Sequence, residues 1–516
     1  MQQSQSKQQV GGILGFIERI GNKIPDITIL FISAFLLVCV VSAVLAQIHF
    51  NYVHPATGRP IEITNMLSGK ALVDLMSKMV TNYANFPPLS MVIVATLGIG
   101  IADGSGYINT GLKKILSITP KVLITPVVIL VGMLSHLGPD SGYVIIIPIA
   151  AYMFYAVGKH PLAGIAASFA GIAGAFAANY TPSAIDPVIQ GFTQSAAQII
   201  DPGYQVNVLC NYFYAFASTF IVIGACWWVT EKITNPWLWK ACPLDDDLDL
   251  GNENNSSITP SENRAFKIAT AVLLLMLTGL AAALYPADSI LRAPDGVIAS
   301  FKAPIMQSIV SLIFIFAALV GLVYGIACGK IKSPKDVTAA MEEITKTLVQ
   351  LIVFYFFAAQ FLYAFGASNM GALIAVSGAE FLKSLNLPPQ VTVFGIIVFV
   401  ALLNLIITSA SAKWAILAPI FVPMLMAVGI APELTQVAFR VSDSAVNVVT
   451  PMFAFYPLII LYCQKYVKNA GIGTLSSMML PYTIALLVSL TFMLYLFWWL
   501  DIPLGFQADY VYPRRF

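Results

Sequence analysis

The chain has 516 residues, of which 58% are hydrophobic and only 10% are charged, and its formal net charge is +2. Soluble globular domains carry roughly 25% charged residues, so the composition excludes an ordinary soluble protein and predicts a polytopic protein embedded in the lipid bilayer. Because the basic residues are scattered rather than clustered, no nucleic-acid partner is expected.

A polar N-terminal segment, residues 1–24, precedes the first apolar segment. A transmembrane helix needs about 20 apolar residues, and two pairs of apolar segments are too short and too tightly joined to cross separately. We therefore predict re-entrant helical hairpins at 121–157 and 390–429. In chain order the apolar segments are 25–47, 88–111, 121–135, 141–157, 162–200, 205–230, 265–285, 303–328, 345–366, 390–409, 414–429, 433–463 and 474–499.

The two hairpin regions resemble each other in sequence. IIIPIAAYMFYAVGKHP (145–161) aligns with ILAPIFVPMLMAVGIAP (416–432) at a constant offset of 271 residues, with Pro148, Gly158 and Pro161 repeated in the second copy. The same offset relates other apolar segments, so the chain is predicted to be duplicated.

The duplication predicts two half-repeats, 25–230 and 303–499, joined by residues 231–302 and followed by a C-terminal tail, 500–516. A linker span at 265–285 inverts the second half relative to the first. The predicted fold class is thus an all-α polytopic membrane protein with nine transmembrane helices plus two re-entrant helical hairpins in an inverted-topology repeat. This architecture is common among secondary transporters.

The distribution of lysine and arginine predicts the orientation. With the N-terminus in the cytoplasm, most basic residues fall in inside loops, as the positive-inside rule requires. The polar loop 241–264 is then a flexible cytoplasmic connector.

Polar sequences interrupt one predicted span in each half: AANYTPSAIDPV (177–188) and FRVSDSAVNVVTP (439–451). Prolines there remove backbone donors, and the freed carbonyls must find protein, water or ions. Together with the hairpin tips, these breaks predict a substrate site with oxygen ligands for a coupling cation. The cation-binding candidates are Asn404, Asp443, Asp186, Asp140, Asn447 and Asn179.

Ionisable residues at membrane depth are costly and are therefore functional candidates. Arg440 and Asp443 stand at positions i and i+3, so they could pair along one helix face as a structural unit. Alternatively, Arg440 binds a substrate carboxylate bidentately and Asp443 tunes it or carries a proton. Asp186, in a break, is predicted to bind a cation or proton.

Three residues at the hairpin tips keep two interpretations each. Asp140 is either a cation ligand or part of an ordinary Asp-Ser-Gly turn. Lys413 either snorkels or pairs with an acid. Trp414 either stacks on an aromatic substrate or anchors the hairpin.

The motifs TSASAKWAILAPIFVPML, FRVSDSAVNVVTPM, HLGPDSGYVIIIP and GAFAANYTPSAIDP resemble the p-aminobenzoyl-glutamate transporter (AbgT) family. The resemblance implies a dimeric inner-membrane transporter. It also implies either uptake of p-aminobenzoyl-glutamate or proton-driven export of sulfonamide-type antimetabolites and p-aminobenzoate, as by an antiporter. Sodium binding near the hairpins is a further implication. The family's important positions fall on Asp186, Asn404, Ser411, Trp414, Pro432, Arg440, Asp443 and Pro451.

Two alternatives stay open. A sodium-coupled dicarboxylate transporter would share the architecture. An integral membrane enzyme would need a catalytic set at membrane depth, for which His136 with Asp140 is the one candidate pair. No enzyme activity and no cofactor beyond H⁺ or Na⁺ is expected, and without GxxxxGK[ST] an ATP-driven pump is disfavoured.

Overall fold

A computed structural model describes residues 25–54, 58–135, 141–183, 185–245, 258–300 and 302–513. Within those ranges the regular elements are helices, accompanied by two isolated β-bridges. The all-α prediction is confirmed. Residues 246–257 of the predicted connector and residues 136–140 of the first hairpin tip lie outside the described residues.

The helices fall into a first half, a linker and a second half. Those of the first half are α1 Ile27–Leu45, α2 Gly69–Ala84, α3 Pro87–Ser105, α4 Tyr107–Ser117, α5 Ile124–Leu134, α6 Ser141–Ala156, α7 Pro161–Phe169, α8 Ile185–Ala197, α9 Tyr212–Val229 and α10 Asn235–Ala241. A 3-10 turn, Lys121–Leu123, leads into α5, and π-helical turns extend α7 and α9 through Ala170–Gly174 and Thr230–Thr234. The linker and second half contain α11 Pro260–Leu284, α12 Pro304–Gln307, α13 Ile309–Cys328, α14 Pro334–Ala367, α15 Met370–Ser384, α16 Pro389–Asn404, α17 Ala410–Met426, α18 Pro432–Val446, α19 Tyr456–Gln464 and α20 Ile472–Trp499.

Seven helical segments in the described part of the chain are long and apolar enough to cross a membrane. Two bent pairs, α4 with α5 and α15 with α16, pass the same test together, and each contains the first limb of a predicted hairpin. The seven helices coincide with seven of the predicted spans. Their outward faces keep large apolar side chains exposed, such as Leu275 at 71% and Phe220 at 64%. Exposed apolar surface of this extent belongs against lipid.

The other two predicted spans, 162–200 and 433–463, are interrupted helices. The first divides into α7 and α8, and the second into α18 and α19. Pro182 and Pro451 lie in the two breaks, where proline disfavours regular helix because it lacks a backbone donor. The interruptions expected from the sequence are therefore present in both halves.

Both predicted hairpins are present as pairs of helices, α5 with α6 and α16 with α17. Residues 405–409 join the limbs of the second hairpin. Its first limb, α16, packs against α18 of its own half, while its second limb, α17, packs against α8 of the other half. The second hairpin thus contacts an interrupted helix of each half.

The repeat extends to backbone conformation. Gly158 and Gly429, which are equivalent in the repeat, both have positive φ, +79° and +87°. Glycine adopts this left-handed conformation without the steric cost of a Cβ. Pro161 and Pro432 then begin α7 and α18 at the first helical position, where the missing N–H of proline has no intrahelical partner to lose.

The predicted span 88–111 is wrong at its C-terminal end. The helix ends at Ser105 because Gly106 is left-handed, with φ +91°, and α4 restarts immediately after it. The chain bends by 120° between α4 and α5, the first limb of the first hairpin. It bends by 116° between α15 and α16, the first limb of the second hairpin. Pro120 and Pro388 stand at these bends, where each excludes continued helix.

The C-terminal tail is docked onto the protein. Val511 forms a bridge with Ile430. The amide of Ala431 donates to the carbonyl of Tyr510 at 3.1 Å, and the amide of Tyr512 donates to the carbonyl of Gly429 at 2.9 Å. The tail therefore braces the turn that leads into α18.

Close packing of α3 against α13 generates a prediction. A Cβ on Gly321 would lie 2.5 Å from the amide nitrogen of Ala102 and 2.6 Å from its Cα. We expect Gly321→Val to destabilise the fold by about 1–3 kcal/mol, because the added methyls overpack the interface. Thermal stability in detergent, followed by size-exclusion chromatography after heating, measures the effect.

The matched control is Gly279→Val in α11, because a Cβ on Gly279 would meet nothing within 4 Å. Both substitutions replace a helical glycine with valine, so the change in helix propensity is the same in the two variants. Equal stability of the two variants would contradict the packing argument.

Candidate functional site

The candidate site lies where the second hairpin meets the two interrupted helices. Helix α18 is buried along its whole length although it carries Glu433, Gln436, Arg440 and Asp443. Charged and polar side chains inside a membrane protein are tolerated only where they find partners. These partners come from α8, α16 and α17 and from the segment between α8 and α9.

Arg440 is paired with an acid of the other half. Its Nη1 donates to Oδ1 of Asp186 at 2.7 Å, and both side chains are largely buried, at 5% and 12% exposure. The other carboxylate oxygen of Asp186 accepts from the amide of Ser183 at 2.7 Å and from its hydroxyl at 3.1 Å. Asp186 also lies in the first turn of α8, where the helix dipole favours negative charge.

Asp443 is paired with Lys413 of the hairpin. The Lys413 ammonium lies 2.7 Å from Oδ1 of Asp443, with side-chain exposures of 0% and 1%. No described residue other than Lys413 neutralises this carboxylate. Lys413 therefore does not snorkel, and its predicted pairing with an acid is confirmed.

Of the two interpretations of Arg440 and Asp443, the one that pairs them with each other along one helix face is wrong. Each residue instead binds an opposite charge on another helix, Asp186 on α8 and Lys413 on α17. Two separate pairs neutralise Arg440 and Asp443 and at the same time connect three helices.

Asn404 joins the second hairpin to this cluster. Its Nδ2 donates to the backbone carbonyl of Asp443 at 2.7 Å and to Oδ1 of Asn447 at 3.2 Å. Its own Oδ1 accepts a hydrogen bond from the Lys413 ammonium. Three of the predicted cation ligands, Asn404, Asp443 and Asn447, are thus adjacent, with a lysine among them.

Trp414 connects the two halves of the protein. Its Nε1 donates to Oγ1 of Thr193 at 2.8 Å, and its indole stacks on Phe439 with ring centroids 4.4 Å apart. The residue is only 1% exposed. In this conformation the contacts favour the anchoring interpretation of Trp414 over stacking on a substrate.

The remaining predicted positions lie around this cluster. Ser411 is in the first turn of α17 at 7% exposure, Pro432 begins α18, and Pro451 follows its end. Asn179 lies in the first-half break; its Oδ1 accepts from Thr181, and its Nδ2 has no partner among the described residues. The sixth cation candidate, Asp140, lies outside the described residues.

Several partners were missed by the sequence analysis. Thr193 donates to Oε1 of Gln436 at 2.6 Å, and Gln436 donates to Oδ1 of Asn211 at 2.7 Å. Glu433 is fully buried and accepts from the hydroxyl of Tyr204 at 2.9 Å. A carboxylate and an amide inside the apolar segment 433–463 were available signals, whereas Thr193 and Asn211 lie far away in sequence.

Comparisons with known proteins agree with this architecture. Residues 12–512 match the AbgT putative transporter family. A curated Escherichia coli (strain K12) protein, the p-aminobenzoyl-glutamate transport protein, is 33% identical over 511 residues, covering 99% of this chain and 98% of its own.

Two solved structures are similar along nearly their whole length. The Alcanivorax borkumensis YdaH transporter superposes with a TM-score of 0.87 at 36% identity, covering 93% of this chain and 100% of its own. Neisseria gonorrhoeae MtrF, described among antimetabolite efflux pumps, has a TM-score of 0.88 at 40% identity, covering 94% and 97%.

These relatives are named as transport proteins, so the enzyme alternative has no support from them, and its pair His136 and Asp140 lies outside the described residues. The match over residues 12–512, the extended identity to a curated transporter and the shared fold agree with the seven candidate spans, two interrupted helices and two hairpins of the described residues. The chain belongs to the AbgT family of membrane transporters.

Proposed function

We propose that this transporter moves p-aminobenzoyl-glutamate, or a related aromatic carboxylate or sulfonamide antimetabolite, across the inner membrane by secondary active transport coupled to H⁺ or Na⁺. The substrate class is supported by the names of the E. coli relative and of MtrF. A homodimer with a cytoplasmic N-terminus is part of the same proposal.

The observation that carries the proposal is the ion pair between Arg440 and Asp186. It joins the interrupted helices of the two halves, and the Arg440 side chain donates a single hydrogen bond among the described residues. Its remaining donors suit a substrate carboxylate, which guanidinium groups bind bidentately.

Exchange of partners at Arg440 supplies a coupling mechanism. When a substrate carboxylate binds Arg440, Asp186 loses its positive partner. A buried carboxylate left unpaired is costly, so Asp186 then takes up a proton or a cation, or moves toward water. Binding of the substrate and of the coupling ion is thereby linked through one guanidinium.

Flux in proteoliposomes tests the function. Labelled p-aminobenzoyl-glutamate and a labelled sulfonamide are offered under proton and sodium gradients imposed separately. We expect gradient-dependent flux of at least one compound. No flux of either under any gradient would refute the substrate assignment, and flux of plain dicarboxylates alone would favour the dicarboxylate transporter.

Substitution of Arg440 tests the site. We expect Arg440→Ala to abolish flux, because the substrate carboxylate loses its partner and Asp186 is left unpaired. Arg440→Lys keeps the charge but not the bidentate geometry, so partial flux with a raised KM is expected. The matched control is Arg264→Ala at the exposed N-terminal end of α11, which is expected to retain flux. Flux retained by a folded Arg440→Ala variant would contradict the assignment of Arg440 to the substrate site.

Substitution of Trp414 separates anchoring from substrate stacking. Trp414→Phe keeps an aromatic ring against Phe439 but loses the hydrogen bond to Thr193, which contributes roughly 1 kcal/mol. We expect a moderate decrease in flux that is equal for aromatic and non-aromatic substrates, with exposed Trp228→Phe as control. A decrease in flux confined to aromatic substrates would show that Trp414 stacks on the substrate. Unchanged flux is the result expected if the protein is a dicarboxylate transporter.

A further inference from the structure

A groove opens between the base of the first hairpin and the C-terminal end of α9. Lys121 precedes α5, the first limb of the hairpin, and Lys159 follows α6, the second limb. The opposite wall is formed by Gly224 of α9 and by Glu231 and Lys232 of the π-helical turn that extends it. The cavity measures about 640 Å³, within the roughly 300–1,000 Å³ that is typical of ligand pockets. We call it the hairpin-base groove.

The hairpin-base groove is positively charged. Three lysines, Lys121, Lys159 and Lys232, line it together with one acid, Glu231, which leaves a net charge of +2. Oε1 of Glu231 lies 2.5 Å from the Lys159 ammonium and accepts from the hydroxyl of Thr125 at 2.6 Å, so this pair is neutral. Lys121 and Lys232 are exposed, and neither forms an ion pair in the part of the chain that the structure describes. Two positive charges are therefore available to an anionic ligand.

The groove continues into an apolar surface along α9. Phe216, Phe220 and Gly224 follow one another at intervals of four residues, which places them on one face of the helix. The two phenylalanines are 44% and 64% exposed, and a Cβ on Gly224 would meet nothing within 4 Å. Exposed apolar surface on a candidate span lies against lipid chains. The glycine thus leaves open space between the lysines and the surface that faces lipid.

The position of the groove along α9 matches the depth of lipid headgroups. The candidate span Tyr212–Ala241 contains Trp227, which is 37% exposed, and tryptophan is enriched where membrane meets water. Lys232 follows five residues later, on the polar side of the tryptophan. A soluble anion would use the lysines alone, whereas a phospholipid uses both the lysines and the apolar face below them.

We propose that the hairpin-base groove binds one anionic phospholipid, with its phosphate between Lys121 and Lys232 and an acyl chain along Gly224 and Phe220. Basic pockets between transmembrane helices bind anionic headgroups through the same attraction. Because both ends of the first hairpin line the groove, the bound lipid ties the base of that hairpin to α9. The inference does not depend on the substrate or on the coupling ion.

Lipid binding by the purified full-length chain in detergent tests the proposal. Native mass spectrometry gives apparent affinities for phosphatidylglycerol and for phosphatidylcholine with identical acyl chains. We expect the unmodified chain to prefer phosphatidylglycerol. The double variant Lys121→Gln/Lys232→Gln is expected to bind it roughly 25-fold more weakly, because each lysine at the headgroup level contributes roughly fivefold. The matched control Lys267→Gln/Lys335→Gln removes two exposed lysines outside the groove and is expected to keep the preference.

Substitution of Gly224 separates a shaped site from general attraction by surface charge. Gly224→Leu keeps every lysine but fills the open space of the groove. We expect a loss of about tenfold in affinity for phosphatidylglycerol, because the leucine displaces about two acyl methylenes from the apolar surface. The matched control is Gly279→Leu in α11, where a Cβ also meets nothing within 4 Å, and it is expected to bind like the unmodified chain.

Absence of a preference for phosphatidylglycerol in the unmodified chain would overturn the proposal. A preference that is undiminished in Lys121→Gln/Lys232→Gln or in Gly224→Leu would also overturn it. Glycerol 3-phosphate, which lacks acyl chains, is offered separately: binding as tight as that of the lipid would assign the groove to a soluble anion instead, and weaker binding supports the proposal.

The same spectra report the oligomeric state. A change of that state in Gly224→Leu would assign the groove to a second copy of the chain and overturn the proposal, and an unchanged state supports it. Because no flux is measured, failure here is distinct from failure of the proposed function.

Discussion

Neutralisation of the charges inside α18 is the constraint on which the rest of the structure depends. Arg440 and Asp443 are fixed in a helix that is buried on every side, and an unpaired charge there would cost several kcal/mol. Asp186 on α8 and Lys413 on α17 supply the opposite charges. Helices α8, α17 and α18 must therefore meet at one place, which brings together the two halves of the chain.

The interrupted helices and the hairpin make that meeting geometrically feasible. The break before α8 places Asp186 in a first helical turn, where Ser183 and the helix dipole stabilise its carboxylate. The first limb of the hairpin ends with Asn404 against α18, where its amide satisfies the carbonyl of Asp443. After the turn, the second limb places Lys413 beside the carboxylate of Asp443. A bundle of straight, uninterrupted helices would have neither the first turn of α8 inside the membrane nor the second limb of the hairpin.

The repeat is a symmetry of the backbone more than of the chemistry. The first-half equivalents of Lys413, Arg440 and Asp443, at the 271-residue offset, are Gly142, Phe169 and Ile172. The last two of these belong to the hydrophobic core. The aromatic position at the hairpin tip is shared, since Tyr143 stacks on Phe455 much as Trp414 stacks on Phe439. One half thus contributes three of the four charges and the other contributes Asp186, so the site depends on both halves without being symmetric.

The sequence by itself determined the membrane class, the two hairpins, the interrupted helices and most residues of the cluster, because hydropathy, proline positions and the rarity of membrane ionisable groups are local signals. Only the tertiary structure decided which charge pairs with which. Spacing along α18 allowed Arg440 to pair with Asp443, but side chains of α8 and α17 are the observed partners. Pairing across more than 250 residues, as between Asp186 and Arg440, leaves no local trace in one sequence, since it is fixed by how helices pack.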